Sequence, residues 1–128
     1  LADKSYIEEY SYNSTNTADT AVIYLPGWTL KPLLLDYVKK NFEGMIFIKA
    51  HPADKNLQIN FENITSISSH YVAEQVIAEL LSKFNKTIVI LESETSSYIF
   101  NKTDRVEFYI ASILEDKDVQ IRKLLLKN

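Results

Sequence analysis

A histidine followed by a proline, His51-Pro52, comes one residue after the apolar run Met45–Lys49. Imidazole changes its charge near neutral pH, so at this position it could exchange a proton or bind an anion. Proline disfavours helix in the residue before it and cannot donate to a sheet, so this pair ends the run and restrains the backbone at His51. Position leaves two interpretations open: His51 contacts a ligand, or it is a surface-loop histidine.

Three consecutive hydroxyl side chains, Thr95-Ser96-Ser97, lie in the polar segment Glu92–Ser97, which follows another apolar run. The short apolar stretch Tyr98–Phe100 predicts a helix after them, and helix N-termini offer free N–H groups and a dipole that favour anions. The hydroxyls therefore either donate to a phosphate or cap the helix. If the carboxylate of Glu92 or of Glu94 lay ~8 Å from a phosphate, its repulsion would disfavour binding of that phosphate by about 2 kcal/mol. We expect both to point away from it, or the site to serve another ligand.

Three other residues are candidates for substrate binding. Glu74 lies in the first turn of a predicted helix, where a carboxylate either complements the helix dipole or accepts hydrogen bonds from a ribose diol. Gly27 and Trp28 follow an apolar run at a Pro-Gly turn. Trp28 belongs either to the core or to the wall of a pocket.

The composition excludes several kinds of chemistry. The 128 residues include no cysteine, which excludes disulfides, thiolate nucleophiles and Cys-based metal sites. Two glycines, Gly27 and Gly44, are too few for a Walker A loop or a GxGxxG turn. A net charge of −3 argues against nucleic-acid binding, and no GxSxG elbow is present. The triplet Asp116-Lys117-Asp118 has no second carboxylate cluster nearby, so we expect no metal site.

The predicted secondary structure that positions these residues alternates strands with helices. Apolar, β-branched runs predict five strands, at Thr20–Leu25, Met45–Lys49, Ile64–Ile67, Thr87–Leu91 and Val106–Ala111. Helical spacing predicts three longer helices: one from Thr29 as N-cap with Pro32 in its first turn, one over Tyr71–Phe84 entered through Ser68-Ser69, and a closing one over Leu114–Lys127.

This order predicts an α/β fold, a Rossmann-like parallel sheet of about five strands with helices on both faces. Residues 1–19 lack periodicity and are expected to form an irregular lead-in to one domain over residues 20–128. In such sheets ligands bind at the carboxyl ends of the strands, where the candidate residues lie. No apolar run approaches the ~18 residues of a membrane span, so we expect a soluble chain.

Three segments together resemble the donor-binding half of bacterial sialyltransferases and polysialyltransferases of the GT-B type. They are Ile48–Pro52, the helix that carries Glu74, and Val89 to Ser97. The motifs of that family are an HP pair and, about forty-five residues later, an SS pair. Here Ser96 follows His51 by 45 positions. The resemblance extends over residues 20–110.

The resemblance implies half of a GT-B fold that binds CMP-sialic acid as donor substrate, with inverting transfer to a glycan acceptor and no metal or other cofactor. His51 would contact the phosphate and help CMP depart, and Pro52 would shape the turn. Ser96 and Ser97 would hold phosphate oxygens, while Glu74 would bind the ribose hydroxyls. A carboxylate of the other domain would deprotonate the acceptor.

The chain would then be a donor-binding domain whose N-terminal acceptor domain is missing, and by itself it should catalyse little. The full-length enzyme would be cytoplasmic, at the inner face of a bacterial membrane, and would act in lipooligosaccharide or capsule synthesis. Two alternatives stay open. CDP-glycerol-type polymerases share an HP-like and an SS-like motif but transfer glycerol phosphate. A non-catalytic α/β interaction module would use His51 and the hydroxyls structurally and its tyrosines for a partner surface.

Overall fold

The computed structural model describes residues 19–27, 30–49, 63–68, 71–92, 105–115 and 117–124. Within these ranges the chain forms one mixed α/β unit of six strands and two helices. The strands are β1 (Thr20–Leu25), β2 (Met45–Lys49), β3 (Ile64–Ile67), β4 (Lys86–Leu91), β5 (Val106–Leu114) and β6 (Asp118–Leu124). The helices are α1 (Pro32–Asn41) and α2 (Ala73–Lys83). The predicted fold class is confirmed, and β1, β2 and β3 have the predicted bounds.

The sheet has the strand order β3-β2-β1-β4-β5-β6. The first five strands are parallel, and β6 is antiparallel to β5. The order reverses between β1 and β4, because the chain proceeds outward from β1 to one edge and then from β4 to the other. This is the order of doubly wound sheets, in which the ligand crevice opens beyond the carboxyl ends of the two central strands. Leu25 pairs with Leu91, so β1 and β4 end level with each other.

The two helices cover opposite faces of the sheet, as predicted. Alternate residues of β1 belong to different core clusters, because successive side chains of a strand point to opposite faces. The α2 face contains Ile23, Phe47, Val76, Ile77 and Leu80. The α1 face contains Val22, Tyr24, Leu34, Leu35 and Val38. Both helices run back from the carboxyl edge of the sheet, so their first turns lie beside the crevice.

The predicted closing helix over Leu114–Lys127 is wrong, because this part of the chain completes a β-hairpin. Leu114 ends β5 and pairs with Asp118 at the start of β6. Glu115 has a φ of 53°, a left-handed conformation that turns the chain and that a continuing helix would not contain. Val119 and Ile121 pack at the α1 face, so the period of burial is two.

The starts of both helices also differ from prediction. The first was predicted from Thr29, which lies outside the described residues, but α1 begins at Pro32 with Lys31 as its N-cap. A residue before proline favours extended backbone, and Lys31 has φ −110° and ψ 110°. Helix α2 begins at Ala73 with Val72 as its N-cap, after the predicted Ser68-Ser69 entry. The predicted helix at 98–100, the lead-in before residue 19 and the domain limits are not described.

Two contacts fix the ends of these elements. Gly44 has a φ of 142°, and a Cβ there would lie 2.5 Å from the carbonyl oxygen of Thr20, so only glycine fits at the start of β2. Arg105, just before β5, donates to the carbonyl oxygens of Leu81, of Phe84 at 2.9 Å and of Asn85 at 3.0 Å. These bonds satisfy carbonyls at the C-terminus of α2 and anchor that helix to the sheet.

Candidate functional site

The structure describes two of the seven candidate site residues, Gly27 and Glu74. The other five lie outside the described residues: Trp28, His51, Pro52, Ser96 and Ser97. Their convergence on one phosphate stays a prediction. Three described residues are their neighbours in the sequence: Gly27 precedes Trp28, Lys49 lies two residues before His51, and Glu92 begins the segment Glu92–Ser97.

Four residues meet where the strand order reverses, and we call them the switch-point cluster: Tyr24, Gly27, Lys31 and Glu92. The carboxylate of Glu92, the residue after β4, accepts a hydrogen bond from the Tyr24 hydroxyl at 2.5 Å through Oε2. Its other oxygen, Oε1, forms an ion pair with Lys31 Nζ. The Glu92 side chain is 12% exposed and that of Lys31 is 42% exposed. One acid, one cation and one hydroxyl thus join β4, β1 and the start of α1.

Gly27 lies against the Glu92 carboxylate. A Cβ added at Gly27 would be 3.5 Å from Glu92 Oε1, which is ordinary van der Waals contact. In glycine-rich members of this fold class, the turn after the first strand receives a phosphate through close backbone approach. Here a carboxylate that is paired with the Lys31 ammonium group lies beside that turn.

The Tyr24 hydroxyl is a permanent donor in this cluster. Burial raises the pKa of Tyr24, and the hydrogen bond to Glu92 and the negative charge of that carboxylate raise it further, against a backbone hydrogen bond from Lys31 that lowers it. The phenol therefore stays protonated at physiological pH. Together with Lys31 it holds the carboxylate in one orientation.

The orientation of Glu92 bears on the expected repulsion between this residue and a phosphate. Ile88 and Ile90 belong to the α1 face, and Glu92 follows them at the same alternation and contacts Lys31 of the α1 N-cap. The carboxylate is therefore turned toward the α1 side of the crevice. Whether Glu92 points away from a bound phosphate stays a prediction, and Glu94 lies outside the described residues.

The N-terminus of α1 offers few free donors to an anion. Pro32 at its first position has no N–H group. The N–H groups of Leu34 and Leu35 both donate to the carbonyl oxygen of Lys31, at 3.0 and 3.1 Å. Among the described residues, the start of α1 therefore offers few free backbone donors.

On the α2 side lies a residue that the sequence reasoning missed, Lys49 at the end of β2. It is 6% exposed, and burial lowers the pKa of its ammonium group. Lys49 follows Phe47 by two residues and so shares the α2 face. No hydrogen bond or ion pair joins its ammonium group to the part of the chain that the structure describes. A lysine closing an otherwise apolar strand that is buried on both faces was the signal that could have identified it.

Glu74 lies in the first turn of α2, on an exposed part of the helix surface. Helix α2 packs on the same face of the sheet as Lys49 and starts at the carboxyl edge. Within the described ranges, no hydrogen bond or ion pair engages the Glu74 carboxylate. It is therefore free to accept hydrogen bonds from ligand hydroxyls.

Two other features of the described residues bear on ligand binding. No group of three or more metal-ligating side chains occurs among the described residues. A cavity of about 410 Å³ opens beside Tyr37 of α1 and the β5–β6 hairpin, where Ser112, Gln120 and Arg122 contribute to its wall. It shares no lining residue with the switch-point cluster. In the same described part of the chain, no helix is both long and apolar enough to cross a bilayer.

No family model matches this chain, and no curated protein or solved structure is significantly similar to it. The function is therefore argued from the residues and their arrangement.

Proposed function

We propose that this chain binds the nucleotide of CMP-sialic acid as the donor-binding domain of a bacterial sialyltransferase. The enzyme would transfer sialic acid to a glycan acceptor with inversion and without a metal ion. One observation carries the proposal: the sheet has a doubly wound order, and a lysine that is only 6% exposed, Lys49, ends β2 two residues before His51.

The burial of Lys49 is what calls for an anionic ligand. Burial of the Lys49 side chain disfavours its charged form and so lowers its pKa. A phosphate in the crevice would give the ammonium group its missing counter-charge. Lys49 thereby supplies a charged donor to a site that has no glycine-rich loop.

The position of Glu74 favours a nucleotide as the ligand that contains this phosphate. Its carboxylate opens α2 on the same face of the sheet and has no partner among the described side chains. Two adjacent ribose hydroxyls can donate to one carboxylate. A nucleotide with its phosphate at Lys49 and its ribose at Glu74 would use both groups.

In the transfer step, the bond between the anomeric carbon of sialic acid and the phosphate oxygen breaks, and its electron pair moves to that oxygen. The acceptor hydroxyl forms the new bond and gives its proton to a carboxylate of the acceptor domain. Negative charge thus builds on the leaving CMP. Contacts from Lys49 and His51, and from the hydroxyls of Ser96 and Ser97, would strengthen as it builds.

The test is calorimetric titration with CMP, CDP and their sialic acid and glycerol conjugates. A preference for CMP compounds supports the proposal, a preference for CDP-glycerol supports a glycerophosphotransferase, and binding of neither supports an interaction module. His51→Ala should weaken CMP binding at least tenfold, by loss of a charged or hydrogen-bonded phosphate contact of roughly 1.5–3 kcal/mol. His70→Ala, at the only other histidine of the chain, is the matched control and should leave the dissociation constant unchanged.

With this function we place the protein in the cytoplasm, at the inner face of a bacterial membrane where surface polysaccharide or lipooligosaccharide is made. Its partners would be the nucleotide-sugar donor and an acceptor domain that holds the glycan. Glu74→Gln should weaken CMP binding and leave binding of a ribose-free phosphate unchanged. Glu79→Gln, on the same helix, is its control.

A further inference from the structure

We infer that the cavity beside the β5–β6 hairpin is a separate ligand site, which binds a sugar acid, that is, a hydroxylated ring with one carboxylate. Its volume of about 410 Å³ is within the range of small-molecule sites. We call it the hairpin cavity, and its polar lining residues are Tyr37, Ser112, Gln120 and Arg122. The inference goes beyond the proposed function, because none of these residues belongs to the proposed nucleotide site.

Pairing of the two strands brings most of these side chains together. Arg122 of β6 lies opposite Ile110 of β5, and Gln120 lies opposite Ser112. Ile110 packs with the core cluster of the α2 face, and residues two apart on a strand share a face, so these four side chains are neighbours on that face. Opposite residues of an antiparallel pair have Cβ atoms about 5 Å apart. A ligand of the size of a sugar ring can therefore contact all four.

The cavity offers both polar and apolar surface. Ser112, Gln120 and Arg122 are exposed, whereas Ile110 and Tyr37 are half-buried. Tyr37 belongs to α1, so the cavity extends toward the helix that covers the other face of the sheet. The apolar face of a ring can lie against Ile110 or Tyr37 while its hydroxyl groups meet the polar side chains.

Arg122 favours a ligand with a carboxylate. Among the described residues that line the cavity, it is the only charged one. A guanidinium carries five N–H donors in a planar fork, which matches the two oxygens of a carboxylate and leaves donors for other contacts. The hydroxyl of Ser112 and the amide of Gln120 both donate and accept, which suits ring hydroxyls. Asp118 shares this face of β6 but lies four residues from Arg122, roughly 13 Å along the strand.

The hairpin cavity is distant from the proposed nucleotide site. Arg122 is on β6 and Lys49 is on β2, four strand spacings away in the sheet order. Neighbouring strands are about 4.8 Å apart, so the backbones of these two residues are separated by roughly 19 Å. In CMP-sialic acid the carboxylate and the phosphate oxygen are bonded to the same carbon. One donor molecule therefore cannot place its phosphate at Lys49 and its carboxylate at Arg122.

The experiment is titration with D-glucuronate, glucose and acetate, followed by the NMR chemical shifts of the protein. Glucuronate has both the ring and the carboxylate, and each of the other two has only one, so glucuronate should bind at least tenfold more tightly than either. Arg122→Gln should reduce the affinity for glucuronate to that for glucose. Lys123→Gln is the matched control, because Lys123 is the next residue of β6 and pairs with Glu107; it should leave the affinity unchanged.

A saturable glucuronate site that is lost in Arg122→Gln and kept in Lys123→Gln supports the inference. No saturable binding, equal binding of acetate, or displacement of glucuronate by CMP overturns it. If Arg122→Gln fails to fold, Gln120→Ala replaces it and should also weaken glucuronate binding, whereas an unchanged affinity in that variant overturns the inference. Tighter binding of sialyllactose than of free N-acetylneuraminate would assign the site to the acidic end of a glycan, and the reverse order to a free sugar acid.

Failure of this inference is distinguishable from failure of the proposed function. Arg122→Gln should bind CMP as tightly as the wild type, because the nucleotide site is at a different place on the sheet. A wild type that binds CMP but not glucuronate removes only the hairpin site. A wild type that binds glucuronate but no nucleotide removes only the proposed function.

Discussion

Glu92 Oε1 lies 3.5 Å from the point that a Cβ at Gly27 would occupy, although the two residues are far apart in the sequence. The contact is close enough to define the edge of the crevice and loose enough to accept one methyl group. The turn after β1 is therefore a wall of the candidate site and does not depend on glycine for its backbone conformation.

A comparison of the two glycines tests this distinction. Gly27→Ala should change the free energy of unfolding by less than about 0.5 kcal/mol, because the new methyl group meets Glu92 at an ordinary contact distance. Gly44→Ala should lower it by roughly 3 kcal/mol, because the residue has a φ of 142° and its Cβ would collide with Thr20. Urea unfolding measures both. Equal losses in the two variants would show that the turn after β1 is strained.

Thr87 offers a test of how the core is packed at the start of β4. Its side chain is fully buried, and Oγ1 has no hydrogen-bond partner in the described part of the protein. Thr87→Val replaces the hydroxyl by a methyl group of similar shape and should stabilise the fold by about 1 kcal/mol. Thr87→Ser keeps the hydroxyl and removes the methyl group, so it should destabilise. Thermal unfolding measures both variants. A lower melting temperature for Thr87→Val than for the wild type would contradict the predicted stabilisation.

Stability at acidic pH should depend on Glu107. A hydrogen bond from Lys86 lowers the pKa of Glu107, with help from Tyr109 and the charge of Lys123 and against a smaller effect of burial. A carboxyl whose pKa is lower in the folded state stabilises that state above its unfolded pKa, and the stabilisation is lost as the pH falls. The wild type should lose up to about 1 kcal/mol from this group below pH 4.5, and Glu107→Gln should lose less over the same range. Thermal unfolding between pH 7 and pH 3 compares them; parallel curves would exclude this role.

The sequence predicted the elements whose pattern is local. β1, β2 and β3 are short apolar runs that end at proline, polar residues or turns, and each has the predicted bounds. β6 was missed because its apolar residues also fit a helical period, and pairing with β5 decides between the two. Tyr24 and Glu92 are 68 positions apart, so no local pattern could show their bond. The doubly wound strand order likewise depends on which strands pair.

Candidate site residues were harder to predict than the fold. The notable omission was Lys49, because a lysine at the end of a strand is ordinarily exposed, and its burial depends on tertiary structure such as the pairing of β2 with β3. His51, Ser96 and Ser97 were chosen for their position after strands, and that choice stays a prediction.

Because Lys49 is buried, the free energy of unfolding should depend on pH in the alkaline range. Burial lowers the pKa of this ammonium group, so between its folded and unfolded values the unfolded chain binds more protons. Stability should therefore rise as the pH increases toward 10.5, the ordinary value for lysine. Lys49→Met should lack this rise. Chemical unfolding from pH 7 to pH 10 measures it, and identical pH dependence in the two proteins would show that the ammonium group is solvated.

The most direct test of the account measures stability and CMP affinity together in Lys49→Met. If Lys49 is buried to meet a phosphate, the variant should unfold at a higher temperature than the wild type and bind CMP at least tenfold more weakly, since it removes both the cost of burial and the phosphate contact. Lys83→Met, in the last turn of α2, should change neither quantity by much. A Lys49→Met protein that binds CMP as tightly as the wild type would contradict the account.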